Sequence, residues 1–163
     1  MSLIRRQGGG VIIVSFVVAL MLAIMPLPHW GEIIRPEWTA LVLLYWCLAL
    51  PSRIGVGFGW TIGLLLDVLK GSLLGQHALA FAVISYIAIN LHLRIRLYPR
   101  WQQSLLIMVL LILYQLLVLW FDGIAGAQAK GWSYWLPSLT GMLLWSPVFT
   151  VLRAIRRDYK VTG

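Results

Sequence analysis

The sequence predicts an all-α integral membrane protein, with six transmembrane helices forming a single polytopic domain over residues 1–163. Three observations predict it: the composition, the continuity of the apolar runs, and the placement of basic residues between them. Hydrophobic residues make up 61% of the 163-residue chain and charged residues 11%, with a mean hydropathy of +0.88. A soluble domain carries about 25% charged residues, so this chain lacks the polar side chains to cover a globular surface. The apolar runs are continuous rather than alternating, which disfavours strands. In lipid the backbone must then satisfy itself within helices.

Six segments can be drawn, at about 11–26, 36–50, 54–69, 78–93, 101–121 and 132–152. Arg5-Arg6 ahead of the first resembles a secretory signal, but Met25-Pro26-Leu27-Pro28 stands where a small-residue cleavage site would be, so the segment is expected to be retained. The second segment has 15 residues, about 22 Å of helix at 1.5 Å per residue, against a hydrocarbon core of about 30 Å. Only Pro51-Ser52-Arg53 joins it to the third, which predicts a tight antiparallel hairpin. Trp30, Trp38, Trp101, Trp120, Trp132 and Trp135 lie at segment ends, where indoles favour the membrane interface. Trp46, Trp60 and Trp145 lie deeper and are expected to pack between helices. Pro147 falls within the last segment, where it removes a backbone hydrogen bond and should kink the helix.

Charge placement gives the orientation. With the N-terminus inside, the inner segments hold ten basic residues (Arg5, Arg6, Arg53, Arg94, Arg96, Arg100, Arg153, Arg156, Arg157 and Lys160) and the outer ones three, Arg35, Lys70 and Lys130. This bias places both termini in the cytoplasm. It also accounts for the net charge of +8 without nucleic acid, because no basic stripe exists outside these loops. The basic inner face could still touch anionic lipid or an acidic partner. Cys47 is the single cysteine, which excludes an intrachain disulfide and a cysteine metal cluster. His29, His77 and His92 show no metal-ligand spacing, and Ser72 has no base at motif spacing. No metal, cofactor or enzymatic activity is expected.

The informative stretch is 62–79. Gly55, Gly59, Gly63, Asp67, Gly71 and Gly75 recur every fourth residue, nearly on one side of a helix. Gly55, Gly59 and Gly63 read as a close-packing seam, within the chain in preference to a partner interface. Asp67 is a carboxylate in an apolar run, costing about 2.5–3.5 kcal/mol at a helix centre and less near the interface. Two roles stay open for it: an ion pair with Lys70 or Arg35, or acceptance of backbone N–H groups in the turn that ends at His77. Lys70 and Gly71 look like a last turn and its glycine cap. In Arg35-Pro36-Glu37-Trp38, proline suits the first helical position and Glu37 the positive end of the helix dipole. Arg35, Pro36, Asp67, Lys70, Gly71, Gly75, Gln76 and His77 are therefore the candidates for an outer cleft that binds a partner or a ligand. Asn90, Tyr114 and Gln115 are read as interhelical hydrogen-bonding groups.

Arg35-Pro36-Glu37-Trp38, Leu44-Tyr45-Trp46 with Pro51, and the block from Gly63 through Asp67, Gly71 and Gly75 to Leu79 strongly resemble the bacterial rod-shape-determining MreD family. The resemblance covers essentially the whole chain. It implies a non-enzymatic inner-membrane scaffold of the cell-wall elongation machinery that maintains rod shape. Its implied direct partner is MreC. The complex would couple MreB filaments to the glycosyltransferase RodA and its penicillin-binding transpeptidase. The family is also similar in architecture to the substrate-binding subunits of energy-coupling-factor transporters. That likeness supports an alternative, a small-molecule or lipid binder with an outward-facing pocket. Membrane lipid and self-association remain further partners to consider.

Overall fold

Eleven consecutive residues, Thr39 to Ala49, are buried in the computed structural model, which describes residues 9–51, 54–71, 74–126 and 131–159. Ser72 and the basic residues Arg5, Arg6, Arg53, Lys130 and Lys160 lie outside the described residues. The run belongs to α3 (Trp38–Ala49), which follows α1 (Gly9–Ile24) and the short α2 (His29–Ile33). A helix that is apolar all round belongs inside a protein, and α3 has no polar face to turn outward. It is enclosed by α1, α5 (Gln76–Leu97), α6 (Arg100–Ile124) and α7 (Leu136–Asp158). The remaining helix, α4 (Val56–Lys70), packs chiefly along α5, and a 3-10 turn, Trp132–Trp135, leads into α7.

The six apolar segments overlap α1, α3, α4, α5, α6 and α7 in order, the last beginning in the 3-10 turn before α7. The tight hairpin expected of the second and third segments is not formed, because α4 lies along α5 instead of α3. Among the described residues three helical stretches are long and apolar enough to cross a membrane: Gln76–Leu97, Arg100–Ile124 and Trp132–Asp158. Gly9–Ile24 and Trp38–Ala49 are shorter apolar helices, of 16 and 12 residues. At about 1.5 Å per residue α3 measures about 18 Å, short for a bilayer. Lipid-facing length is unimportant for it, since its neighbours surround it.

The core is built from large side chains of α3 and its neighbours. Trp46 and Trp145 are both fully buried; Tyr45 stacks edge-on against Trp46 and Phe149 with ring centroids 5.1 and 5.5 Å apart. The Trp46 indole Nε1 donates to Ser15 Oγ of α1 at 2.9 Å, which satisfies its polar edge inside the core.

The seam between α4 and α5 is where glycine is required. A Cβ at Gly63 would overlap Ala78 Cα and come 2.6 Å from Ala78 N and His77 O; one at Gly59 would run into the Ser85 hydroxyl. Missing side chains thus let the two backbones touch, the source of helix adhesion where lipid offers no hydrophobic incentive. Gly55 does not take part: it is the N-cap of α4 and a Cβ there would meet nothing within 4 Å. The seam ends one turn short of the glycine series because the chain enters the helix there.

Two further expectations change. Trp60 is 48% exposed rather than packed between helices, because one residue beyond Gly59 is turned about 100° away from α5. Pro36 does not open α3; the helix starts at Trp38 with Glu37 as N-cap, whose side chain makes no capping bond. Arg35 holds the preceding segment to the end of α1, as described below, and keeps it off the helical path.

At the opposite end arginines do more than set orientation. Arg96 of α5 donates from Nε to Leu48 O at 2.7 Å and from Nη2 to Ala49 O at 2.6 Å, satisfying carbonyls at the end of α3 that have no helical partner. Arg100 lies over the Phe149 ring at 4.3 Å and donates to Thr150 Oγ1 at 3.1 Å, tying α6 to α7.

Gly63→Leu should lower stability by about 1–3 kcal/mol or more, the cost of overpacking a tight contact, read as a fall in the thermal midpoint in detergent. Gly57→Ala, with nothing within 4 Å of the added methyl, should be neutral or stabilise by up to about 1 kcal/mol through helix propensity.

Candidate functional site

The polar residues gather at the end of the bundle where α4 gives way to α5. Gly71 and Gly75, with φ of 67° and 98°, supply the left-handed backbone that ends α4 and starts α5. Other residues adopt that conformation only at a cost. The turn delivers the first amides of α5 to Asp67, which is fully buried. Gly75 N–H donates to Oδ2 at 2.9 Å, His77 N–H to Oδ1 at 2.9 Å and Ala78 N–H to Oδ2 at 3.4 Å. The His77 imidazole Nδ1 lies 2.7 Å from Oδ1, in position to donate as well. One carboxylate, offered from the preceding helix, caps the N-terminus of α5. The positive end of that helix dipole favours the charge, and the bonds offset the cost of burying it.

Of the two roles open for Asp67, the structure displays the cap. Arg35 turns elsewhere: its guanidinium donates to the carbonyls of Ala23 and Met25 at the end of α1 and meets Glu32 Oε1 at 3.2 Å. Those carbonyls lie at a helix C-terminus and lack helical donors, so they draw the arginine away from Asp67. Lys70 is exposed on the last turn of α4.

From the Asp67 turn a chain of hydrogen bonds crosses to the other helices. Gln76 Nε2 donates to Val118 O at 3.0 Å and to Asp122 Oδ1 at 2.7 Å on α6. One turn back on α6, Gln115 Nε2 donates to Tyr134 O at 2.8 Å, Tyr134 returns its hydroxyl to Gln115 O at 2.7 Å, and the Ser138 hydroxyl donates to Gln115 Oε1. The Tyr114 hydroxyl reaches Glu37 Oε2 at 3.4 Å at the start of α3, and its ring packs against those of His77 and Phe81. Gln76, His77, Tyr114 and Gln115 therefore join five helices, α3 to α7. Asn90 does not: its amide donates to Tyr86 O on its own helix at 2.9 Å. Asp122, Tyr134 and Ser138 enter this network without any sequence signal, since they pair across 23–46 residues of chain or through backbone carbonyls.

Beside the network lies a cleft of about 470 Å³, lined by Glu32, Arg35, Glu37 and Lys70 with Ala23, Ile24, Leu69 and Pro137. Two of the sequence candidates, Arg35 and Lys70, face it. Asp67, Gln76 and His77 are spent inside the bundle, Gly71 and Gly75 shape the turn, and Pro36 precedes α3 beside the cleft residues Arg35 and Glu37. Among the described residues no three His, Cys, Asp or Glu side chains gather to hold a metal ion.

Asp67→Asn should cost about 1–3 kcal/mol, because an amide offers one acceptor oxygen to several amide donors; Asp67→Leu, which leaves those donors buried and unpaired, should cost roughly twice as much. Thermal melts in detergent, with hydrogen exchange at Gly75, His77 and Ala78, measure both; equal exchange in wild type and Asp67→Leu would contradict the cap.

Comparison with known proteins places this architecture. A family profile described as rod shape-determining protein MreD matches residues 4–155. The rod shape-determining protein MreD of Haemophilus influenzae is 35% identical over 146 residues, covering 90% of each chain. No solved structure matches. A match over nearly the whole chain, together with the helical, membrane-type body, establishes that the chain belongs to the MreD family of rod shape-determining proteins.

Proposed function

We propose that the chain is a non-enzymatic scaffold of the bacterial cell-wall elongation complex. It would cross the inner membrane six times with both termini in the cytoplasm, bind MreC directly, and help couple MreB filaments to RodA and its penicillin-binding transpeptidase. The observation that carries this reading is membership of a rod-shape-determining family over residues 4–155. The fold supports it in two ways. The conspicuous polar residues Asp67, Gln76 and Gln115 act as joints between helices. Large apolar side chains such as Val68, Tyr86 and Leu143 point outward, as they would toward lipid or a partner helix.

The glycine seam is no part of the proposed MreC contact. Gly59 and Gly63 are occupied by α5, so substitution there would act through folding. A second reading, an outward-facing binding pocket like those of transporter substrate-binding subunits, is favoured by one observation, the charged cleft lined by Glu32, Arg35, Glu37 and Lys70.

Co-purification of the tagged protein from membranes should bring MreC in about equal amount, and depletion should turn rods into spheres that the intact gene restores. Absence of MreC from the purified complex would remove the scaffold reading. Reporters fused at residue 1 or 163 should report a cytoplasmic location; an external reporter signal from either would overturn the six-span topology.

A further inference from the structure

Two cavities are lined by neighbouring residues at one end of α1 and at the start of α3. The larger, about 870 Å³, is an apolar groove between α1 and α7. Val14 and Val18 form one wall, Val148 and Val151 the other, and Trp38 and Val42 of α3 the floor. Its one hydroxyl from α1, Ser15, is already spent, donating to Ile12 O at 2.6 Å and accepting from Trp46 at 2.9 Å. The groove demands an apolar occupant. From Gly10 to Leu22 it runs about 18 Å along α1, slightly more than half of the roughly 30 Å hydrocarbon core.

The smaller cavity is the charged cleft. Leu22 lines the groove and Ala23 the cleft; Trp38 lines the groove and Glu37 the cleft; on α7, Leu144 lines the groove and Pro137, two turns nearer the Asp67 end, the cleft. The charged cleft thus sits as a mouth beside the Leu22 end of the apolar groove, next to it on α1 and at the start of α3.

The charges at that mouth are distinct. Arg35 and Glu32 are paired with each other, and Arg35 is further tied to the end of α1. Lys70 and Glu37 line the same cleft and make no ion pair with each other or with another of the described residues; Glu37 receives the Tyr114 hydroxyl at 3.4 Å. An occupant satisfying both carries an anion for Lys70, a hydrogen-bond-donating cation for Glu37, and an acyl chain for the groove. A phosphate bearing a primary ammonium on a lipid has all three. A glycerol head group has no cation, and a choline head group has no N–H to donate.

We propose that groove and cleft together bind one phospholipid with a zwitterionic, primary-amine head group, its phosphate on Lys70, its ammonium on Glu37 and an acyl chain between α1 and α7. This rests on the second reading above and names its ligand. Charge-assisted hydrogen bonds at the mouth select the head group, while apolar burial in the groove supplies affinity.

Native mass spectrometry of the full chain, given dioleoyl phosphatidylethanolamine, phosphatidylglycerol or phosphatidylcholine at equal concentration, tests it. The wild type should retain phosphatidylethanolamine about tenfold better than either other lipid; Glu37→Gln should reduce that preference about tenfold, whereas Lys70→Gln, which loses the bond to the phosphate that all three share, should lower retention of all three about tenfold. Circular dichroism should show unchanged helix content in both variants. Val148→Trp should lower retention of all three lipids. Equal retention of the three lipids by the wild type would overturn the head-group assignment while leaving a lipid pocket. No retained lipid would overturn the pocket reading with it. If Val148→Trp instead loses MreC while lipid retention is unchanged, the groove belongs to a protein helix and the proposal fails. MreC co-purification with Glu37→Gln should be unaffected, which separates this test from that of the scaffold.

Discussion

A buried carboxylate gathering the free amides of the next helix is the interaction on which the Asp67 end of this bundle depends. Within a hydrocarbon solvent each unpaired N–H costs several kcal/mol, so α5 could not begin inside the bundle without an acceptor. Asp67 supplies it, and in doing so fixes the α4–α5 pair closely enough for Gly63 to rest on Ala78. With the start of α5 placed, Gln76 meets α6, and α6 in turn meets the turn before α7 through Gln115. The opposite end uses the same logic with the sign reversed: Arg96 brings donors to carbonyls left over at the end of α3. Helices in this protein are joined largely by completing one another's ends.

Much of this fold could be read from the sequence, and the reason is that lipid simplifies the code. Continuous apolar runs marked where six of the helices lie, though not the short α2 or the last six residues of α7, and the glycine spacing located a seam because only a missing side chain lets backbones touch. What stayed hidden concerns neighbours. The 15-residue second segment looks like a weak span, yet α3 is the enclosed centre, because burial depends on what surrounds a helix and not on its own length. Trp60 and Trp46 look alike in sequence, and one faces outward while the other is fully buried.

The candidate site was legible in part for the same reason. Asp67 and the glycines after it stood out, since a charge among apolar residues needs a local explanation and left-handed turns need glycine. For Arg35 a pair with Asp67 stayed open in the sequence, and the arginine bonds elsewhere. A long cation can reach many acceptors, and the competing carbonyls of Ala23 and Met25 belong to a helix end that no motif marks. Arg96 and Arg100 read as orientation charges, which does not reveal that they also bond α3 and α7.

The enclosure of α3 carries a consequence for how the protein is made. Synthesis proceeds from the N-terminus, so α3 emerges before three of the four helices that enclose it, α5, α6 and α7. At about 18 Å it is too short to span the bilayer comfortably by itself. Until those later helices arrive it must be held against α1 or by the insertion machinery, with its terminal carbonyls waiting for Arg96. The centre of the folded protein is therefore among the first parts made and among the last to be secured, and the chain commits to its final form only when the second half has entered the membrane.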